Sequence, residues 1–147
     1  MQEKEAEELF NKGLAAVDSG DTVLGIACLE KFLHLERTPL FDSYFAVCLA
    51  RELGDFDEAL ALCMSARDEE PSNPAHYLNL GRVYIACGRK RDAIRAFRDG
   101  LLFDHDRRII AELNRIGWRN MSVFPMLSRE HRLNVILGKI GKKLRVR

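Results

Sequence analysis

The glycine-led pairs Gly20-Asp21, Gly54-Asp55 and Gly88-Arg89 recur at intervals of 34 residues along a chain of 147. Five residues after each glycine stands a small residue: Gly25, Ala59 or Ala93. A fixed period of this length marks a unit that cannot bury its own apolar face and stacks on its neighbours instead. Apolar residues flank each glycine at helical spacing, so each unit reads as helix, tight turn, helix. The expected units are residues 6–39, 40–73 and 74–107. Their borders carry helix-start signals. Thr38-Pro39 and Asn73-Pro74 each place a capping residue before a proline at the first helical position, and Asp55 with Glu58 reads as a capping box.

Gly81 lies among Leu78, Leu80, Tyr84 and Ile85, which otherwise space like one helix. A glycine there costs about 1 kcal/mol against alanine. Close approach of the two helices of a hairpin supplies the reason. A larger side chain at Gly81, Gly13 or Ala93 would hold them apart, and Tyr84 and Phe97 fill the space beyond. The second unit is irregular. Counted from its proline, Ala46 takes the place of Gly81; counted back from Gly54, the small position falls on Val47. The proline register puts the small residue at the close contact and predicts one extra residue in the turn before Gly54.

The third unit, PAHYLNLGRVYIACGRKRDAIRAFRDGLLFD, resembles a tetratricopeptide repeat at Tyr77, Leu80, Gly81, Tyr84, Ala93 and Phe97. The second unit adds GDFDEAL, Ala66 and Pro71, and the first adds Leu9, Gly13, Ala16 and Leu29. The resemblance spans residues 6–107 and implies an all-α, right-handed solenoid of three helical hairpins with a concave peptide-binding face. Carried over from similar repeats, the groove residues of the first unit are Phe10, Leu14 and Val17, with Glu7 and Asp18 at the edges. The second unit contributes Leu40, Ser43, Tyr44, Val47 and Arg51, and the third Leu78, Asn79, Arg82 and Ile85. Chaperone-binding members clamp a terminal carboxylate with lysine, asparagine and arginine. Here those sites hold Phe10, Leu14, Tyr44, Ala75 and Asn79, so that clamp is not expected. What is expected is an apolar groove for a peptide or helical segment, unless the chain's own N-terminal residues or its VFPML stretch cover it.

Beyond the repeats, Ile109, Ile110, Leu113 and Ile116 form one stripe ending at Gly117, as a capping helix over 108–117 requires. Residues 118–147 read as a linker followed by a basic amphipathic segment starting at Ser128. The net charge of +1 conceals a polarity: residues 1–73 hold 16 acidic and 6 basic side chains, and residues 74–147 hold 6 and 17. The basic residues singled out are Arg91, Arg95 and Arg98, on one helical stripe, with Lys139, Lys142, Lys143, Arg145 and Arg147 at the end of the chain. They read as solvated surface, or as a patch for an anionic membrane, a nucleic-acid backbone or an acidic protein. Self-association through the acidic and basic halves is a further expectation.

Chemistry is sparse. The four histidines are scattered, none paired at metal-binding spacing, and Asp104-His105-Asp106 falls in an inter-repeat turn. No Ser/His/Asp or Cys/His grouping is legible, and GKIGKK lacks the serine or threonine of a phosphate-cradling loop. Cys28, Cys48, Cys63 and Cys87 follow neither metal nor redox spacing and read as packed, reduced thiols. No apolar run approaches a membrane span, and MQEKEAEELF lacks a signal core, so a cytoplasmic location is expected. The expectation is a non-enzyme without cofactor or metal: a protein-interaction module, or alternatively an adaptor whose basic tail binds an anionic surface.

Overall fold

The computed structural model describes residues 2–117, and every regular element among them is helical. α1 (Glu3–Asp18) and α2 (Thr22–Leu29) form the first hairpin, α3 (Pro39–Cys48) and α4 (Phe56–Glu69) the second. α5 (Pro74–Ala86) and α6 (Lys90–Leu101) form the third, and α7 (Arg107–Ile116) follows. Helices pack against their chain neighbours, and α3 also touches α1 and α5, so the first helices of the hairpins line up side by side. This is the all-α repeat solenoid that the period implies.

Local chemistry sets the ends of these helices. Asp21 accepts a hydrogen bond from the Leu24 amide at 3.0 Å, Thr38 from Phe41 at 3.2 Å and Asn73 from Ala75 at 3.0 Å. Asp106 caps α7 by accepting from the Arg108 amide at 2.9 Å. Gly54 and Gly88 turn the chain with φ of 65° and 76°, the left-handed region open to glycine. The extra residue of the second unit is absorbed inside the helix rather than in the turn. From Leu49 to Leu53 the backbone widens into a π-turn that runs on from α3 and ends at Gly54. Ala46 is fully sealed, as the proline register requires.

The core follows the hairpins. One cluster joins Val17, Leu29, Phe41, Phe45, Val47 and Cys63 through the first two units. A second gathers Leu78, Ile94 and Phe97 under Ile109 and Leu113 of α7. A β-carbon on Gly81 would overlap the edge of the Phe97 ring, which is itself fully buried. Burying that ring stabilises by about 1.5–3 kcal/mol, against about 1 kcal/mol for glycine in a helix.

Candidate functional site

The face built by α1, α3, α5 and α7 carries a polar ring that joins all four. Asp18, the last residue of α1, sits at its centre. The Tyr44 hydroxyl lies 3.1 Å from each of its carboxylate oxygens, Arg82 Nη1 donates to it at 2.8 Å, and Arg108 Nη1 at 3.1 Å. Arg108 also donates to Tyr44 Oη at 2.7 Å and to Asp106 Oδ2 at 2.8 Å. Arg82 reaches Glu112 Oε1 through Nε at 3.2 Å and Asn79 Oδ1 through Nη1 at 3.0 Å. Arg115 closes on the other oxygen of Glu112.

Burial makes these bonds matter. Arg82 is only 1% exposed, and a charge so placed persists because carboxylates and an amide surround it. Burial, and then the negative charge of Asp18, push the Tyr44 hydroxyl up to about 12. The Asp106 hydrogen bond holds the Arg108 guanidinium above its ordinary range against the opposing effect of burial. At Asp106, burial works to raise the carboxyl, but the hydrogen bonds from Arg108 outweigh it and the net shift is downward.

Beside the ring lies a second cluster. His76 Nδ1 is 3.0 Å from Ser43 Oγ, and His76 Nε2 is 2.6 Å from Glu70 Oε1. Asn79 Nδ2 donates to Ser43 Oγ at 3.2 Å. A serine, an imidazole and a carboxylate in a row is the order of parts in a nucleophilic hydrolase. Here, however, Ser43 and His76 have no exposed surface, so no acyl donor reaches the hydroxyl. The cluster ties α3 to α5. Sequence reading missed it because the serine lies 33 residues from the histidine with no motif between them.

The groove residues expected from sequence divide in two. Val17, Tyr44, Val47, Leu78, Asn79 and Arg82 are buried, a correction to the open groove expected at these positions. Leu78 packs with Ile109 and Leu113, because α7 stacks beside α5 as a further first helix. Tyr44, Asn79 and Arg82 are held in the polar ring. Phe10, Leu14, Leu40, Arg51 and Ile85 are half-buried. Phe10 stands edge-on to Phe32, with centroids 5.6 Å apart, and so belongs to its own hairpin. Of the basic residues, Arg91 and Arg95 are exposed on α6, and Arg98 is half-buried with Asp99 3.6 Å away. Lys139, Lys142, Lys143, Arg145 and Arg147 lie outside the described residues, as do the linker, the VFPML stretch and the cap at Ser128.

Arg51 stands in the π-turn, half-buried. Burial, then the charge of Arg82, lower its pKa; Glu112 works the other way and Arg115 adds to the lowering. It makes no hydrogen bond or ion pair among the described residues. The described residues contain no group of three metal-ligating side chains. The cysteines are unpaired, and burial pushes the Cys48 thiol up to about 12 and raises Cys63 as well, which disfavours the thiolate a nucleophile needs. No helix among the described residues is long and apolar enough to cross a membrane.

A tetratricopeptide-repeat family profile matches residues 50–113. Two curated relatives carry the name photosystem I assembly protein Ycf3. The one from Prochlorococcus marinus (strain MIT 9211) is 31% identical over 91 residues, which cover 60% of this chain and 53% of the relative. The one from Synechococcus sp. (strain WH7803) is 32% identical over 89 residues, covering 58% and 51%. The chain spans about half the length of the curated relatives it matches.

Proposed function

We propose that this chain, whose residues 50–113 match a tetratricopeptide-repeat profile, is a non-catalytic protein-interaction module. It holds a peptide or helical segment of a protein partner along the face of its first helices. One observation carries this reading: half-buried apolar residues surround the polar ring on that face. Leu14 lies one turn before Asp18, Leu40 one turn before Tyr44, and Ile85 one turn after Arg82, so helical spacing puts each beside a member of the ring. Apolar rims around a fixed polar floor suit an amphipathic segment. The relatives named as assembly proteins support a role in bringing other proteins together. The sealing of Ser43 and His76 from solvent supports the non-catalytic reading, although Glu70 at the end of the row is exposed.

A photo-crosslinking amino acid placed at Leu14 or Ile85, with Arg95 on α6 as the control site, tests this in native lysate. The expected result is one recurrent protein adduct at Leu14 and Ile85 and none at Arg95. Leu14→Ala and Ile85→Ala should each weaken that partner about tenfold, about 1.4 kcal/mol, with the melting temperature unchanged. Adducts confined to Arg95 would instead support the adaptor reading, in which basic surface meets an anionic partner.

A further inference from the structure

We infer that the edge carrying the Gly20 and Gly54 turns is a docking surface for the chain's own basic segment, residues 128–147, which lie outside the described residues. The two turns are joined there. The Thr22 hydroxyl donates to the Glu52 carboxylate and seats the start of α2 against the π-turn. The next residue on each side of this bond is an apolar side chain left in water. Val23 is 64% exposed and Leu53 67%, with Leu24 and Phe56 at 37% close to them in sequence. Four such residues at one joint exceed the scattered single apolar side chains normal on a surface. Leu53 is also the last residue of the π-turn, where the second unit departs from its neighbours. An insertion that ends in an exposed leucine adds nothing to the core, and widened helical turns recur at functional positions.

Charge names the occupant. Asp21, Glu52, Asp55, Asp57 and Glu58 flank these apolar residues in sequence, and all five are exposed. Asp21 and Asp55 each spend an oxygen on a helix cap, and Glu52 one on Thr22. No basic side chain occurs between Lys12 and Lys31 or between Arg51 and Arg67, and Arg51 itself is half-buried. Residues 128–147 are the complement: seven basic side chains against Glu130, with Leu133, Ile136, Leu137, Ile140 and Leu144 at the spacing of one helical face. The third turn carries Arg89, Lys90 and Arg91, and like charge turns the segment away from it toward the first two. The segment also starts from the right place. α1, α3, α5 and α7 run the same way, each separated from the next by a returning helix, so α7 ends at Gly117 on the edge of the turns. From α7 to α3 is two helix spacings, about 20 Å. Residues 118–127 can span about 33 Å when extended.

A photo-crosslinking amino acid at Leu53, and separately at Val23, tests this in the purified full chain. Leu102, 57% exposed beyond the end of α6, is the control position. Isotope-labelled and unlabelled chains are mixed in equal parts before irradiation. The expected adduct joins either probe to the tryptic peptide 133–139 of the same chain, in isotopically uniform pairs, and is absent from Leu102. Asp57→Lys combined with Glu58→Lys should cut the yield about tenfold while the helical circular-dichroism signal stays unchanged. Rising salt should lower the wild-type yield as well. No adduct to 133–139 from either probe, an equal adduct from Leu102, or a yield indifferent to the charge reversal would each overturn the inference. Pairs of mixed isotope would overturn it in favour of contact between two copies. Leu53 and Val23 are not groove residues, so the groove reading is untouched by any of these results.

Discussion

Arg82 is the side chain with most to lose. It is sealed from water between Asp18, Asn79 and Glu112, so truncation strips partners from three polar groups at once. Arg82→Ala should cost about 3–5 kcal/mol, read as a lowered urea midpoint. Tyr44 makes a pH-dependent contribution of known sign. Its hydroxyl is pushed up to about 12 in the fold, above the ordinary value near 10. The stability it adds is therefore present in full below pH about 10 and is lost as pH rises through about 12. Near-ultraviolet titration should show a tyrosinate step at about 12 that Tyr44→Phe removes.

Among the elements, the α5–α6 hairpin depends on the absence of a side chain. Gly81→Ala pushes a methyl group into the buried Phe97 ring and should destabilise by about 1–3 kcal/mol, with Gly81→Leu worse. Combining Gly81→Ala with Phe97→Leu should recover part of the loss, and a double-mutant cycle by thermal melting measures the coupling. Most of this level was legible in advance. Threonine, asparagine and aspartate caps, the prolines after Thr38 and Asn73, and the turn glycines at 54 and 88 are local signals, and local physics sets helix ends. The π-turn was visible only as a conflict between two registers, because nothing local says whether a loop or a helix takes up an inserted residue. The site was harder to read. Asp18 and Arg108 meet from 90 residues apart and Arg82 and Asp18 from 64, and such partners follow from the stacking angle of the hairpins, which no short pattern encodes. The family resemblance led to Tyr44, Asn79 and Arg82 as positions on the inner face, but not to their burial, since the closeness of the neighbouring first helices decides that.

At the scale of the molecule, the ring alters what a repeat array ordinarily does. Stacked repeats touch only their neighbours, so end units open on their own. Here the bond from Arg108 to Asp18 bridges the first helix and the last described one. The first hairpin should therefore exchange its amide hydrogens together with the third. Arg108→Ala should uncouple them, lowering the opening free energy of α1 and α2 by about 1–2 kcal/mol in hydrogen-exchange mass spectrometry. If α1 and α2 already exchange early in the wild type, the bridge carries no coupling.

That tie has a mechanical corollary. A coil whose first and last described windings are joined resists lengthening or unwinding to admit a guest. On the proposed function, a bound segment would have to match a pitch already set, its shape chosen before it arrives.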